Sequence, residues 1–205
     1  MNFFDLIGAA ALSSSETLQA TYDLALNVME NHIEGHLVDC GVFAGSQCAA
    51  MVAAVDFQEG GTRESLFTKK RLVHAFDSFA GIPEAGRYDK EFIHHGHHPG
   101  LSACSLEDVQ ANMKAWGVPE GFLVYHKGLF ADTVPEAAKT LGPIALLRLD
   151  CDLYESTKVC LDHLLPLVSP GGWVICDDFA LSGHRRAILQ SGLRGLPAYF
   201  KKGKQ

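Results

Sequence analysis

The chain lacks any apolar run approaching the roughly 20 residues needed to cross a bilayer. Its start, Met1-Asn2-Phe3-Phe4-Asp5, has no basic residue, and Ile7–Leu12 is too short to be the apolar core of a secretory signal. The expectation is a cytoplasmic protein without membrane contact. Positive charge is also scarce: 17 Lys and Arg stand against 24 Asp and Glu, a formal net charge of -7. That balance argues against a nucleic-acid binder working by phosphate neutralisation. The six cysteines (Cys40, Cys48, Cys104, Cys151, Cys160 and Cys176) show no metal spacing. Most sit in apolar segments, so buried thiols are expected rather than disulfides. What remains is 47% hydrophobic and 20% charged over 205 residues, which fits one globular domain with a substantial core.

The stretch Leu146–Thr157 organises the chain. An apolar run over Ile144–Leu149 ends in Asp150 and Asp152, and Ser156 and Thr157 then open an apolar-periodic segment. A second run, Gly172–Cys176, ends in Asp177-Asp178-Phe179. Buried strands of an open α/β sheet gather ligands at their carboxyl ends. Neighbouring strands with these endings bring up to four carboxylates together, and hard oxygen ligands suit Mg²⁺, Mn²⁺ or Ca²⁺.

Strand and helix signals alternate along the rest. Residues 1–34 read as an N-terminal helical segment, with a helix over Ser13–Met29 capped by one of three serines. Leu37-Val38 leads through Asp39-Cys40-Gly41-Val42-Phe43-Ala44-Gly45-Ser46 into a helix at about Gln47–Val55. Gly41 and Gly45 either let the backbone approach a cofactor or end the strand for structural reasons. Leu72–Phe76 is the next strand. Asp77 after it either takes a ribose diol or caps the next turn. Residues 80–101 form a long lid-like loop with His94, His95, His97 and His98. Ser105 caps a helix running to Trp116, with Asp108 at the capping-box position. Phe122–His126 is the third strand, and a short helix follows Pro135. The Asp150 strand is fourth, with a helix over Ser156–Val168, and Pro170-Gly171-Gly172 turns into the fifth. A last helix opens at Gly183-His184-Arg185-Arg186, and Ala198–Lys201 is a final edge strand. The predicted fold is α/β, a doubly wound and mainly parallel sheet.

Several of these stretches together resemble the macrocin O-methyltransferase family, S-adenosylmethionine-dependent sugar O-methyltransferases of the class I, Rossmann-like fold. The carriers are Asp39–Gly45, Phe76-Asp77-Ser78-Phe79-Ala80-Gly81-Ile82-Pro83, Ser105–Val109, Lys127–Pro135, Leu147–Thr157, Gly171-Gly172 and Asp177-Asp178-Phe179. The resemblance implies that Asp39, Gly41, Val42 and Ser46 hold the methionine part of the cofactor. It implies that Asp77 and Ser78 hold the ribose, and that Gly128, Leu129 and Phe130 line the adenine. It gives Asp150, Asp177 and Asp178 to Mg²⁺, and Asp152 to the metal or the cofactor. The chain departs from the family's pattern in having Asp39 for Glu, Phe43-Ala44-Gly45-Ser46 for Trp-Arg-Gly-Gly, and Cys151 for Gly. Only about twenty residues follow Phe179 before Tyr199, so a shortened C-terminal strand region is expected.

A sugar hydroxyl is a poor nucleophile at neutral pH. A divalent cation stabilises the developing alkoxide, and a base removes the proton. Candidates for that base are His94, His95, His97, His98 and His184, with Asp150 beside the reacting centre. The partner implied is a small-molecule hydroxyl acceptor containing a sugar, and the family admits a homodimer. Two other readings compete. Asp150-Cys151-Asp152 is also the DxD pattern of metal-dependent glycosyltransferases, and the cofactor fold also serves as a non-catalytic binding module. The glycine loop and Asp77 oppose the first, and the intact acidic quartet opposes the second.

Overall fold

A computed structural model describes residues 2–59, 71–193 and 199–201. Six strands form its sheet: β1 (His36–Cys40), β2 (Val73–Asp77), β3 (Leu123–Lys127), β4 (Ile144–Leu149), β5 (Val168–Cys176) and β6 (Tyr199–Lys201). Their order is β3-β2-β1-β4-β5-β6. The first five are parallel, and β6 lies antiparallel on β5, at the edge position anticipated for 198–201.

Eight α-helices accompany the strands among the described residues: α1 (Phe3–Gly8), α2 (Ser15–Glu30), α3 (Ser46–Glu59), α4 (Lys90–His94), α5 (Leu106–Ala115), α6 (Phe130–Ala138), α7 (Tyr154–Leu164) and α8 (Ser182–Gln190). Side chains alternate across each strand, so the sheet buries both faces. Leu37, Val73 and Leu146 face Leu18, Val28, Met51 and Val52 of α2 and α3. Val38, Phe76, Leu147 and Val174 face Val134, Leu161, Leu164 and Ile188 of α6, α7 and α8. Five cysteines are buried in these layers, Cys104 is partly exposed, and all six are free thiols. The chain runs from β1 outward through β2 to β3, then returns to β4 beside β1. That reversal splays the connections apart above β1 and β4 and leaves a crevice there.

Several expectations hold and others are corrected. Ser105 caps α5: its Oγ accepts from Asp108 N at 3.1 Å and donates to Asp108 Oδ2 at 2.6 Å. Ser14 caps α2, accepting from Thr17 N. The helix expected after Pro135 instead starts at Phe130, with Pro135 inside it. Pro135 removes one backbone bond of this helix, whose Val134 is buried. The helix expected from Ser156 starts at Tyr154 and ends at Leu164, followed by a 3₁₀ turn over Leu165–Leu167. Its cap is tertiary: Asp89 Oδ1 accepts from Tyr154 N at 2.7 Å. The last helix likewise opens at Ser182, whose N and Oγ donate to Glu91. Thus the segment 80–101 supplies the caps of two distant helices. Its ends are also pinned together, with Ile82 N on Leu101 O at 2.8 Å and Gly100 N on Ile82 O at 2.9 Å. The six-residue α1 falls within the segment 1–34 read as helical, though no periodic signal marks its bounds.

Candidate active site

A cavity of about 620 Å³ lies above the carboxyl ends of β1, β2, β4 and β5. At one end are Gly41, Val42, Ser46, Asp77, Ser78, Gly128, Leu129 and Phe130, and at the other Asp150, Asp152, Asp177 and Asp178. Apart from Asp39, every residue anticipated as a cofactor contact or metal ligand therefore faces one space. Ala11, Leu12, Ser13, Ser14 and Thr17 also line this wall, from the N-terminal side.

The glycine loop is shaped by Asp77. Its Oδ2 accepts from Val42 N at 2.7 Å and Phe43 N at 3.2 Å, and its Oδ1 from Phe79 N at 2.7 Å. Asp77 therefore organises two turns as well as facing the cavity. Gly41 has φ +102°, and a Cβ there would lie 1.9 Å from Asp150 O, so the start of the loop runs against the end of β4. Ser46 Oγ donates to Ile7 O at 2.7 Å and ties α1 to the loop. Asp39 is placed differently from expectation. It is 0% exposed and absent from the cavity wall, with Oδ1 on Arg148 Nη1 at 2.9 Å and Oδ2 on Cys48 Sγ at 3.2 Å. Strand alternation turns it into the sheet's α2–α3 side. Burial pushes its carboxyl up to about 6, against the pull of Arg148.

The acidic floor has a counter-ion of its own. Arg148, 1% exposed, donates through Nη2 to Asp150 Oδ2 at 2.7 Å and to Asp177 Oδ2. Asp178 Oδ2 accepts from Asp152 N at 2.8 Å. Burial, with help from the charges of Asp150, Asp177 and Asp77, pushes Asp152 up to about 7. Burial raises Asp177 too, with Arg148 opposing, and raises Asp178 well above the carboxylate range, with Asp150 and Asp152 adding to it. The expectation that four carboxylates converge is met. Arg148 supplies part of the charge that compensates them. Among the described residues no three His, Cys, Asp or Glu side chains are arranged as the ligands of an ion.

None of the candidate histidines reaches the cavity wall. His95 and His98 are exposed on the segment 80–101, with Nδ1 on Glu91 O at 2.9 Å and Pro99 O at 3.1 Å. His184 is 0% exposed behind the acidic floor, with Nδ1 2.8 Å from Thr157 Oγ1 and 3.9 Å from Asp178 Oδ2. Thr157 spends its one hydroxyl proton on Leu153 O at 2.8 Å, so His184 must donate to it from Nδ1. Burial lowers the His184 pKa to about 4, so the ring is neutral at physiological pH.

Sequence reasoning passed over two residues of this wall. Arg148 stands alone in the apolar run Ile144–Leu149, and a buried arginine needs an anionic partner. Period-2 spacing already puts it on the same side as Asp150. Asp89 has no such signal. It is 1% exposed and holds Gly86 N at 2.8 Å as well as the start of α7.

A doubly wound parallel sheet with a glycine loop after β1 and its cavity at the β1–β4 reversal defines a class I methyltransferase fold. Residues 7–192 match the macrocin-O-methyltransferase (TylF) family, and the chain belongs to that family. It is 38% identical over 165 residues to the 8-demethyl-8-(2,3-dimethoxy-alpha-L-rhamnosyl)-tetracenomycin-C 4'-O-methyltransferase of Streptomyces olivaceus, covering 78% of this chain and 59% of that protein. It is 35% identical over 159 residues to the demethyldecarbamoylnovobiocin O-methyltransferase of Streptomyces niveus, covering 76% of this chain and 56% of that protein. The chain thus spans less than two thirds of the length of these relatives. The solved structure of the O-methyltransferase NovP superposes with a TM-score of 0.80 at 27% identity, covering 95% of this chain and 83% of that one. The calicheamicin methyltransferase CalS11 gives a TM-score of 0.67 at 25% identity, covering 92% and 78%. Family membership displaces the glycosyltransferase reading of Asp150-Cys151-Asp152. Among the described residues no helix is long and apolar enough to cross a membrane.

Proposed function

We propose that this protein is an S-adenosylmethionine-dependent O-methyltransferase acting on a hydroxyl of a sugar or glycosylated small molecule, aided by Mg²⁺ or another divalent cation. The observation that carries this reading is the two-ended cavity. The glycine loop, Asp77 and Gly128–Phe130 stand at one end, and Asp150, Asp177 and Asp178 at the other. The Streptomyces olivaceus relative is by name an O-methyltransferase of a rhamnosyl-bearing molecule, which supports the same acceptor class.

Bound cofactor supplies a sulfonium methyl, and a bound divalent cation supplies positive charge for a developing alkoxide. Gly41, Val42, Asp77 and Gly128–Phe130 would hold the cofactor, which would supply the methyl, and Asp150, Asp177 and Asp178 would hold the cation beside the acceptor hydroxyl, whose proton would be released as the methyl is taken. The chain's own residues orient the two reactants. Backbone amides and Asp77 fix one end, and the floor carboxylates place the hydroxyl in line. By donor type the floor carboxylates suit a hard cation, although no three of them are arranged as its ligands among the described residues. Asp150 and Asp177 each engage Arg148 through Oδ2, and Asp178 engages Asp152 N through Oδ2, so each has its Oδ1 left to offer. Mg²⁺ typically takes one or two carboxylates and keeps several waters. Of the histidines, His95 and His98 would need movement of the segment 80–101 to serve as base.

Calorimetric titration with S-adenosylhomocysteine, with Mg²⁺ and again with EDTA, tests the reading. Micromolar binding is expected. No binding in either condition would overturn it. The same reading places the protein in the cytoplasm and admits a homodimer, which light scattering of the purified chain would detect.

A further inference from the structure

Between the two ends of the cavity lies one buried guanidinium. Arg148 Nη1 donates to Asp39 Oδ1 at 2.9 Å and to Gly41 O at 3.4 Å. Arg148 Nη2 donates to Asp150 Oδ2 at 2.7 Å and to Asp177 Oδ2. Nε is buried with no partner. One planar group therefore bridges the first residue of the glycine loop and two acids of the floor. The backbones are also in contact, with Asp150 N on Cys40 O at 2.8 Å and no room for a Cβ at Gly41.

We propose that Arg148 is a positioning residue linking the two ends of the cavity, so that a divalent cation on the acidic floor and cofactor on the glycine loop bind interdependently. The inference rests on the functional reading above. A cation near Asp150 and Asp177 repels the guanidinium and draws on the same carboxylates, which weakens the hold of Nη2. The fork is rigid and Nε ties it to nothing, so the loss is taken up at Nη1. There the guanidinium presses on Asp39 and the Gly41 carbonyl and firms the loop. Linkage is reciprocal, so cofactor on the loop must tighten the floor's grip on a cation by the same factor.

The experiment titrates the full chain with S-adenosylhomocysteine, with and without saturating Mn²⁺, and titrates Mn²⁺ by electron paramagnetic resonance with and without S-adenosylhomocysteine. The neutral sulfur of this ligand removes direct repulsion from the cation. Each ligand is expected to tighten the other by about fivefold or more. Arg148→Lys keeps the charge and loses the two-armed fork. It is expected to bind each ligand alone, with linkage reduced to within about twofold of none. Asp39→Asn keeps an oxygen to accept from Nη1 but removes the charge which that arm pairs with, without touching the floor. It should show the same loss, and serves if Arg148→Lys does not fold. A purely structural role would lower the melting temperature and both affinities while leaving their ratio intact. Linkage that survives in the folded variants overturns the proposal. Wild type that binds both ligands independently overturns it too, while sparing the methyltransferase reading. Wild type that binds neither overturns both.

Discussion

Asp77 Oδ2 accepts the backbone N–H of Val42 at 2.7 Å, so the carboxylate at the end of β2 sets the shape of the loop that ends β1. Its other oxygen holds Phe79 N. Asp77→Asn would turn an amide N–H₂ toward one of these N–H groups and leave it unsatisfied. The expected cost is about 1–3 kcal/mol of stability, read by urea denaturation. Affinity for S-adenosylhomocysteine is expected to fall about tenfold or more, since each 1.4 kcal/mol lost at the ligand is tenfold. Lost stability with unchanged affinity would confine Asp77 to shaping its two turns.

On the acidic floor, Asp150→Ala and Asp177→Ala test the proposed cation. Each is expected to cut turnover by about a hundredfold or more, the loss of several kcal/mol of charge stabilisation. Neither should unfold the protein. Arg148 retains Asp39 at 2.9 Å and the remaining floor acid. Circular dichroism and thermal melting should therefore match wild type. Full activity in either variant, or full activity of wild type in EDTA, would rule out the cation.

The β4–α7 region shows what a sequence can and cannot reveal. The six apolar or aliphatic-flanked positions of Ile144–Leu149 are bounded by turn residues, and the strand falls where the pattern puts it. The floor acids were legible because each follows a buried run directly. Arg148 was legible in principle, as a lone cation two residues from Asp150. The start of α7 was not. Its cap comes from Asp89, 65 residues earlier, and local rules pointed to Ser156 and Thr157 instead. The histidines lie off the cavity wall for a related reason. Clustering in sequence at 94–98 says nothing about reach, and those side chains point to solvent, away from the cavity wall.

For His184 the expectation is stability without catalysis. Its Nδ1–H is committed to Thr157 at 2.8 Å, and the ring does not face the cavity. His184→Asn retains a donor near the Nδ1 position, so turnover should stay within about threefold of wild type, and the pH–rate profile should not move. Loss of an ionisation from that profile would restore His184 as the base. The folded pKa of about 4 lies below the unfolded value of about 6.5. The unfolded chain therefore binds the proton first. The residue's contribution is fully present above about pH 6.5 and is lost as pH falls from there toward about 4. The unfolding free energy of wild type minus that of His184→Asn should be flat above pH 7 and shrink across that window. Taking the difference cancels Asp39 and Asp152, whose raised values act in the opposite sense.

Three glycines separate backbone strain from steric conflict. At Gly96, φ is +66° and a Cβ meets nothing within 4 Å, so Gly96→Ala should cost only about 1–2 kcal/mol for the left-handed backbone. At Gly183 no positive φ applies, but a Cβ would lie 1.8 Å from Asp89 Oδ1 and 3.1 Å from Tyr154 N. Gly183→Ala should displace the Asp89 cap and cost about 1–3 kcal/mol, with the damage concentrated at the start of α7 and visible as faster amide exchange there. Gly41 combines both penalties. Its φ is +102°, and the clashing atoms are Asp150 O at 1.9 Å and Asp150 C at 2.9 Å, which belong to the backbone and cannot rotate away. Gly41→Ala should cost more than about 4 kcal/mol or prevent folding, measured by urea denaturation beside the other two. A mild effect at Gly41 would mean that the loop and the end of β4 can part. The close approach through which Arg148 is proposed to act would then not be a fixed feature of the site.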